Sequence, residues 1–177
     1  MQLRIAGVVE NSIVDGEGIR YAIFVQGCPH ACPGCHNPQT HDFQGGTLTE
    51  TDTLLNAIAD DPLLDGVTFS GGEPFCQAAV LAELGKQIHA LGLNLVTYTG
   101  YTFEELLAGD RPDWTALLKE TDILIDGRFE QDKKSYECRF RGSTNQRYLD
   151  AKASVQAGKA VPYHLFAEKI EKRQPVF

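Results

Sequence analysis

Residues 66–99 read GVTFSGGEPFCQAAVLAELGKQIHALGLNLVTYT. Gly66-Val67-Thr68-Phe69-Ser70 is a short β-rich run that ends in Gly71-Gly72. Val80, Leu81, Leu84, Ile88 and Leu91 then recur on one helical face, up to a stop at Gly92. Leu93 to Thr99, rich in Leu, Val, Thr and Tyr, is a second strand. Strand, helix and strand in this order make a βαβ unit, whose strands lie parallel.

The same alternation extends outward. Upstream, Leu3 to Val9 and Tyr21 to Val25 read as strands, and Leu54, Leu55, Ile58 and Ala59 mark a helix with Thr49 or Thr51 as its N-cap. Downstream, Thr102-x-x-Glu105 is a capping box that opens a short helix, Trp114 to Lys119 forms another, and Ile123-Leu124-Ile125 is an apolar strand. The expected fold is α/β with mainly parallel strands. A complete (β/α)₈ barrel takes about 250 residues, so a chain of 177 residues predicts a partial barrel, open on one side. We expect one domain over residues 1–177, with its core at about 3–148 and a tail, 149–177, of unassigned role.

Composition narrows the class. Hydrophobic residues make up 42%, and no apolar run approaches the ~20 residues of a membrane span. The net charge is −8 with Lys and Arg scattered, which argues against nucleic acid as a partner, because phosphate contacts need clustered cations. A soluble, cytoplasmic protein is expected. Five cysteines, three of them on one loop, do not form a disulfide framework, and reduced thiols suit metal ligation.

Cys28, Cys32 and Cys35 are spaced Cys-x-x-x-Cys-x-x-Cys directly after a strand. A [4Fe–4S] cluster takes four ligands, so three thiolates leave one iron open to an outside ligand. Two other readings compete. One is a Cys₃His zinc site using His30, His36 or His41; the other is a Cys32-Pro33-Gly34-Cys35 dithiol. Zinc modules normally pair two ligand couples, and a dithiol leaves Cys28 unexplained, so the cluster reading is preferred. The Cys loop, Ser70-Gly71-Gly72-Glu73 and Thr99-Gly100-Tyr101 all follow strand ends, where parallel α/β proteins build their sites. Cys76 is expected to be a small buried hydrophobe and Cys138 an exposed, dispensable thiol.

The Cys loop with Gly72-Glu73 downstream resembles the radical S-adenosylmethionine (SAM) superfamily. Asp15-Gly16-Glu17-Gly18-Ile19-Arg20, Ser70-Gly71-Gly72-Glu73-Pro74 and Arg141-Gly142-Ser143-Thr144-Asn145-Gln146 make the chain similar, within it, to the activating proteins of anaerobic (class III) ribonucleoside-triphosphate reductases. Many superfamily members carry an aromatic residue before the third Cys. Gly34 stands there instead, a departure that activators of glycyl radical enzymes share.

The resemblance implies a [4Fe–4S] cluster on Cys28, Cys32 and Cys35. SAM would lie against Gly34, Cys35, His36, Ser70, Gly71, Gly72, Glu73, Thr99 and Asp126. It further implies reductive cleavage of SAM, a radical that takes hydrogen from a glycine near the C-terminus of the reductase, and flavodoxin or ferredoxin as electron donor. His36 reads equally well as a solvated loop histidine, and Asp126 before Gly127 as a turn residue. Asp15 to Arg20 is either a surface loop or a substrate or SAM contact. The alternatives are an activator of another glycyl radical enzyme of the pyruvate formate-lyase type, a radical SAM enzyme on a small molecule, and a zinc-binding interaction module.

Overall fold

A computed structural model describes residues 1–164. Its strands are β1 (Gln2–Ser12), β2 (Arg20–Val25), β3 (Thr47–Glu50), β4 (Gly66–Gly71), β5 (Asn94–Tyr98), β6 (Ile123–Asp126) and β7 (Arg147–Asp150). They form one seven-stranded sheet in the order β3-β1-β2-β4-β5-β6-β7. The four central strands, β2, β4, β5 and β6, run parallel. The flanking pairs β1–β2, β1–β3 and β6–β7 are antiparallel. The sheet is therefore mixed and open, and parallel at its centre. The β1–β2 and β6–β7 connections contain no crossover α-helix, and these neighbouring strands run antiparallel.

The α-helices among the described residues are α1 (Thr51–Ala59), α2 (Ala78–Ala90), α3 (Phe103–Ala108), α4 (Pro112–Glu120) and α5 (Ala151–Ala157). Leu54, Ile58, Leu81, Leu84, Ile88, Phe103, Leu106 and Leu117 from the helices pack with Leu3, Ile23, Val25, Val67, Phe69, Leu95 and Leu124 from the strands. Burying each such side chain contributes roughly 1.5–3 kcal/mol, so these contacts fix the helices on one face of the sheet. The other face carries Val96, Ile123, Ile125 and Tyr148, met by Tyr98, Phe140 and Tyr163. Strand β4 is buried along five of its six residues, as a central strand covered on both faces must be.

The capping box at Thr102 is formed as expected: Glu105 N–H donates to Thr102 Oγ1 at 3.2 Å and Thr102 N–H to Glu105 Oε2 at 2.7 Å. The cap expected at Thr49 or Thr51 is not found. Thr49 belongs to β3, Thr51 is the first helical residue, and Glu50 occupies the N-cap without a side-chain bond. Strand β3 escapes sequence reading because it is short and polar. The unassigned segment after Tyr148 contains α5, capped by Asp150 Oδ1 accepting from Ala153 N–H at 2.9 Å and ended by Gly158 in the left-handed region. The rest of the tail, residues 165–177, lies outside the described residues.

Candidate functional site

Strand pairing brings the two glycine- and cysteine-bearing loops together. Val25 of β2 faces Gly71 of β4, so both strands release their chains at the same end of the sheet. The loops then bond to each other: Gly72 N–H donates to Val25 O and Glu73 N–H to Gly27 O, both at 2.8 Å. Gly71 has φ +93°, and a Cβ there would lie 2.7 Å from the Phe24 and Val25 backbone. A side chain is therefore excluded both by conformation and by close approach.

The Cys loop is pinned at both ends. Gly27 N–H donates to Thr40 O at 2.8 Å, Cys28 N–H to His41 O at 3.2 Å, and Cys35 N–H to Cys32 O at 3.1 Å. Asn37 N–H points at Cys35 Sγ, 3.4 Å away. Cys28, Cys32 and Cys35 are free and half-buried. All three line a cleft of about 740 Å³ together with His36, Ser70, Gly71, Gly72 and Thr99. Burial raises the Cys28 and Cys32 thiols, and backbone hydrogen bonds near His30 and at Phe129 oppose this only in part. Such thiols become thiolates once a cationic centre compensates for the lost solvation, which metal ligation does. Among the described residues no three His, Cys, Asp or Glu side chains converge on one point. A cubane cluster does not ask for that, since each thiolate meets a different iron. The donor set therefore fits a cluster held at three corners.

Glu73 is fully buried and does not reach the cleft wall. Its carboxylate meets His30 Nε2 at 2.7 Å and accepts from Thr99 Oγ1 at 2.9 Å, Gly100 N–H at 2.9 Å and Phe75 N–H at 3.0 Å. It thereby ties the Cys loop, its own turn and the end of β5 to one another. His30 sits edge-on to Tyr101, with ring centroids 4.5 Å apart. Trp114 Nε1–H donates to Phe75 O at 2.8 Å and anchors α4 beneath the same turn.

Asp126 is also off the cleft wall. It is fully buried, accepts from Phe103 N–H at 2.7 Å and is held by Arg147, whose guanidinium is raised by Asp126 and Glu104. Gly34 faces outward with φ +73° against Gln131. Of the residues expected to meet SAM, Cys35, His36, Ser70, Gly71, Gly72 and Thr99 therefore share the cleft, and Gly34, Glu73 and Asp126 stand behind or beside it.

Two cysteine expectations need correction. Cys76 is exposed because the turn after Glu73 gives its inward position to Phe75; the protein around it and Glu73 still push its thiol up to about 11. Cys138 is half-buried and lines the cleft.

The segment between β6 and β7 supplies the wall that sequence reading missed. Phe129, Tyr136, Phe140, Arg141 and Gln146 line the cleft from this segment. Tyr98 O–H donates to Phe140 O at 2.6 Å and fastens it across the sheet face. Phe129 packs on His36 with centroids 4.9 Å apart. Only Arg141 to Gln146 carried a signal in sequence. The surface-loop reading of Asp15 to Arg20 also gives way. Arg20 is 1% exposed and donates to Thr68 Oγ1, Val67 O, Glu17 O and Asn94 O, while Asp15 reaches the cleft.

Residues 14–149 match the family described as "4Fe-4S single cluster domain". The chain is 37% identical over 142 residues to the anaerobic ribonucleoside-triphosphate reductase-activating protein of Pasteurella multocida (strain Pm70), covering 76% of this chain and 89% of that one. It is 34% identical over 142 residues to the protein of the same name from Escherichia coli (strain K12), covering 76% and 90%. A pyruvate formate-lyase-activating enzyme of Clostridium pasteurianum is 33% identical over 141 residues, which is 76% of this chain and 56% of that enzyme.

Proposed function

The chain belongs to the single-cluster 4Fe-4S family that includes activating proteins of anaerobic ribonucleoside-triphosphate reductase, and from that premise we propose that it activates such a reductase by generating a glycyl radical on it. The observation that carries this reading is the placement of three free thiols and the Ser70-Gly71-Gly72 turn in the lining of one cleft.

Cys28, Cys32 and Cys35 hold the [4Fe–4S] cluster in this reading. A bound, reduced cluster supplies one-electron cleavage of SAM, the source of the hydrogen-abstracting radical. The chain's own residues orient and enclose. Ser70, Gly71 and Gly72 bring bare backbone close to the methionyl end of SAM, and Thr99, Cys35 and His36 flank it. Glu73 and Asp126 act through the backbone they hold, at Gly100 and Phe103. Phe129 and Phe140 limit entry of water on the side of the β6–β7 segment.

We read the open sheet, with the α-helices of the described residues on one face, as a partial (β/α) barrel whose open side admits a glycine-containing C-terminal loop of the reductase. A flavodoxin or ferredoxin would donate the electron. Among the described residues no helix is long and apolar enough to cross a membrane, and the free cysteines suit the reducing cytoplasm.

The test is anaerobic. The chain is reconstituted with iron and sulfide, given reductant, SAM and the reductase, and followed by EPR with assay of 5′-deoxyadenosine. A glycyl doublet on the reductase is the expected result. A doublet on pyruvate formate-lyase alone would reassign the partner. Zinc in place of iron, with no deoxyadenosine, would overturn the reading.

A further inference from the structure

The geometry points to the outer edge of β1, from Gly7 to Ser12, as the strip on which the glycine-bearing segment of the reductase docks, added to the sheet as an extended strand. This rests on the activating function proposed above and says how that substrate is held.

Strand β1 is longer than its outer neighbour. Its pairing with β3 runs only from Gln2–Glu50 to Ile5–Thr47, whereas its pairing with β2 continues to Ser12–Arg20. Among the described residues no strand pairs with the outer edge of β1 beyond Ile5. One register shift, at Ile5/Gly7, opens the strip and a second, between Val9 and Ser12, bends its far end, where Asn11 has φ +54°; irregularities of this kind set a strand's direction beside a site. A free edge offers unpaired N–H and C=O groups and is normally guarded by Lys, Pro or a short length. Here the strip and its turn expose Val8 (37%), Val9 (45%), Ile13 (71%) and Val14 (71%), and the only charged residue from Gly7 to Val14 is Glu10.

What the strip receives follows from continuity and from the substrate's chemistry. Val9 and Val14 also line the cleft that holds Cys28, Cys32 and Cys35, so a strand laid along the edge leads into it. A glycine has no side chain to grip, so backbone hydrogen bonds are the available means of holding it, with neighbouring apolar residues giving register. The extended stretch from Gly7 to Glu10 accommodates about 14 Å of added strand before the bend at Asn11.

Hydrogen exchange by mass spectrometry on the reconstituted holoprotein, with and without intact reductase, reads the strip directly. The amides within 7–12 that point away from β2 should slow by about tenfold or more when the reductase is added. Val8→Lys and Ile13→Lys lie off the cleft wall. Each should weaken reductase binding about tenfold and leave reductase-independent formation of 5′-deoxyadenosine unchanged, whereas Val8→Thr should bind as the parent does. Unchanged exchange at 7–12 in a complex confirmed by size-exclusion overturns the inference. So does protection of those outward amides already present in the free chain, which would mean that another segment or a second copy covers the edge. Wild-type affinity in both Lys variants overturns it too. Failure of the parent chain to place a radical on the reductase would instead remove the activating function itself, a result the EPR experiment gives separately.

Discussion

Replacing Glu73 separates two jobs that one carboxylate can do beside this cleft: contacting SAM, or holding three loops together. In the structure its oxygens meet His30, Thr99 Oγ1 and the N–H groups of Phe75 and Gly100, all within 3.0 Å, and the side chain is wholly buried. Glu73→Gln keeps the shape but turns an NH₂ group toward one side of this set. On the Oε2 side it faces Gly100 N–H, donor against donor, and a buried unsatisfied donor costs about 1–3 kcal/mol. Glu73→Ala orphans the Phe75 and Gly100 N–H groups together, for about 2–6 kcal/mol by the same reckoning. The assay is urea unfolding of the metal-free protein under reductant. A slope near 2 kcal/mol per molar turns a loss of about 2 kcal/mol into a midpoint shift of about 1 M. His30→Ala, which removes one partner of the same set, should shift the midpoint in the same direction by less. A Glu73→Gln protein within about 0.5 kcal/mol of the parent, well below the lower end of that range, would refute the holding role. If that protein also bound SAM poorly, the carboxylate would be a ligand contact instead.

Cys28→Ala, Cys32→Ala and Cys35→Ala should each lose most of the iron taken up on reconstitution, whereas Cys138→Ala, although it lines the same cleft, should retain it; iron and sulfide analysis checks both. Gly71→Ala forces a side chain into φ +93° against the β2 backbone, where the conformation alone costs about 1–3 kcal/mol. Thermal unfolding should fall by about 5–10 °C. At Asp122, burial pushes the carboxyl up, but bonds from Lys152, His89 and Leu95 N–H outweigh it and hold the carboxyl below its ordinary value. A lowered folded value means stability present above about pH 4 and lost as pH falls through the folded value. Asp122→Asn should therefore lower stability at pH 7 and flatten its decline below about pH 4, measured by unfolding at a series of pH values.

What could be read in advance was local. The capping box at Thr102 spans three residues, and both halves of it stand in the sequence as they do in the fold. The central strands and long helices declared themselves by period, and the cysteines by spacing. The pairing that gives the site its form is not local. His30 and Glu73 are 43 residues apart, and Tyr98 is 42 from the Phe140 carbonyl that it holds. No periodicity records such contacts, because they depend on the register that sets Val25 beside Gly71. Strand pairing likewise decides where the polar residues stand. Glu73 and Asp126 carry the polar character of ligand-contacting residues, and each lies behind the cleft lining, where its carboxyl oxygens accept from backbone N–H groups. Cys138 sits in a charged, turn-rich stretch that reads as surface, and Tyr98 draws that stretch over the sheet. A residue's type thus foretold that it would lie near the cleft. Whether it lines the cleft or stands behind its wall depended on a strand elsewhere in the chain.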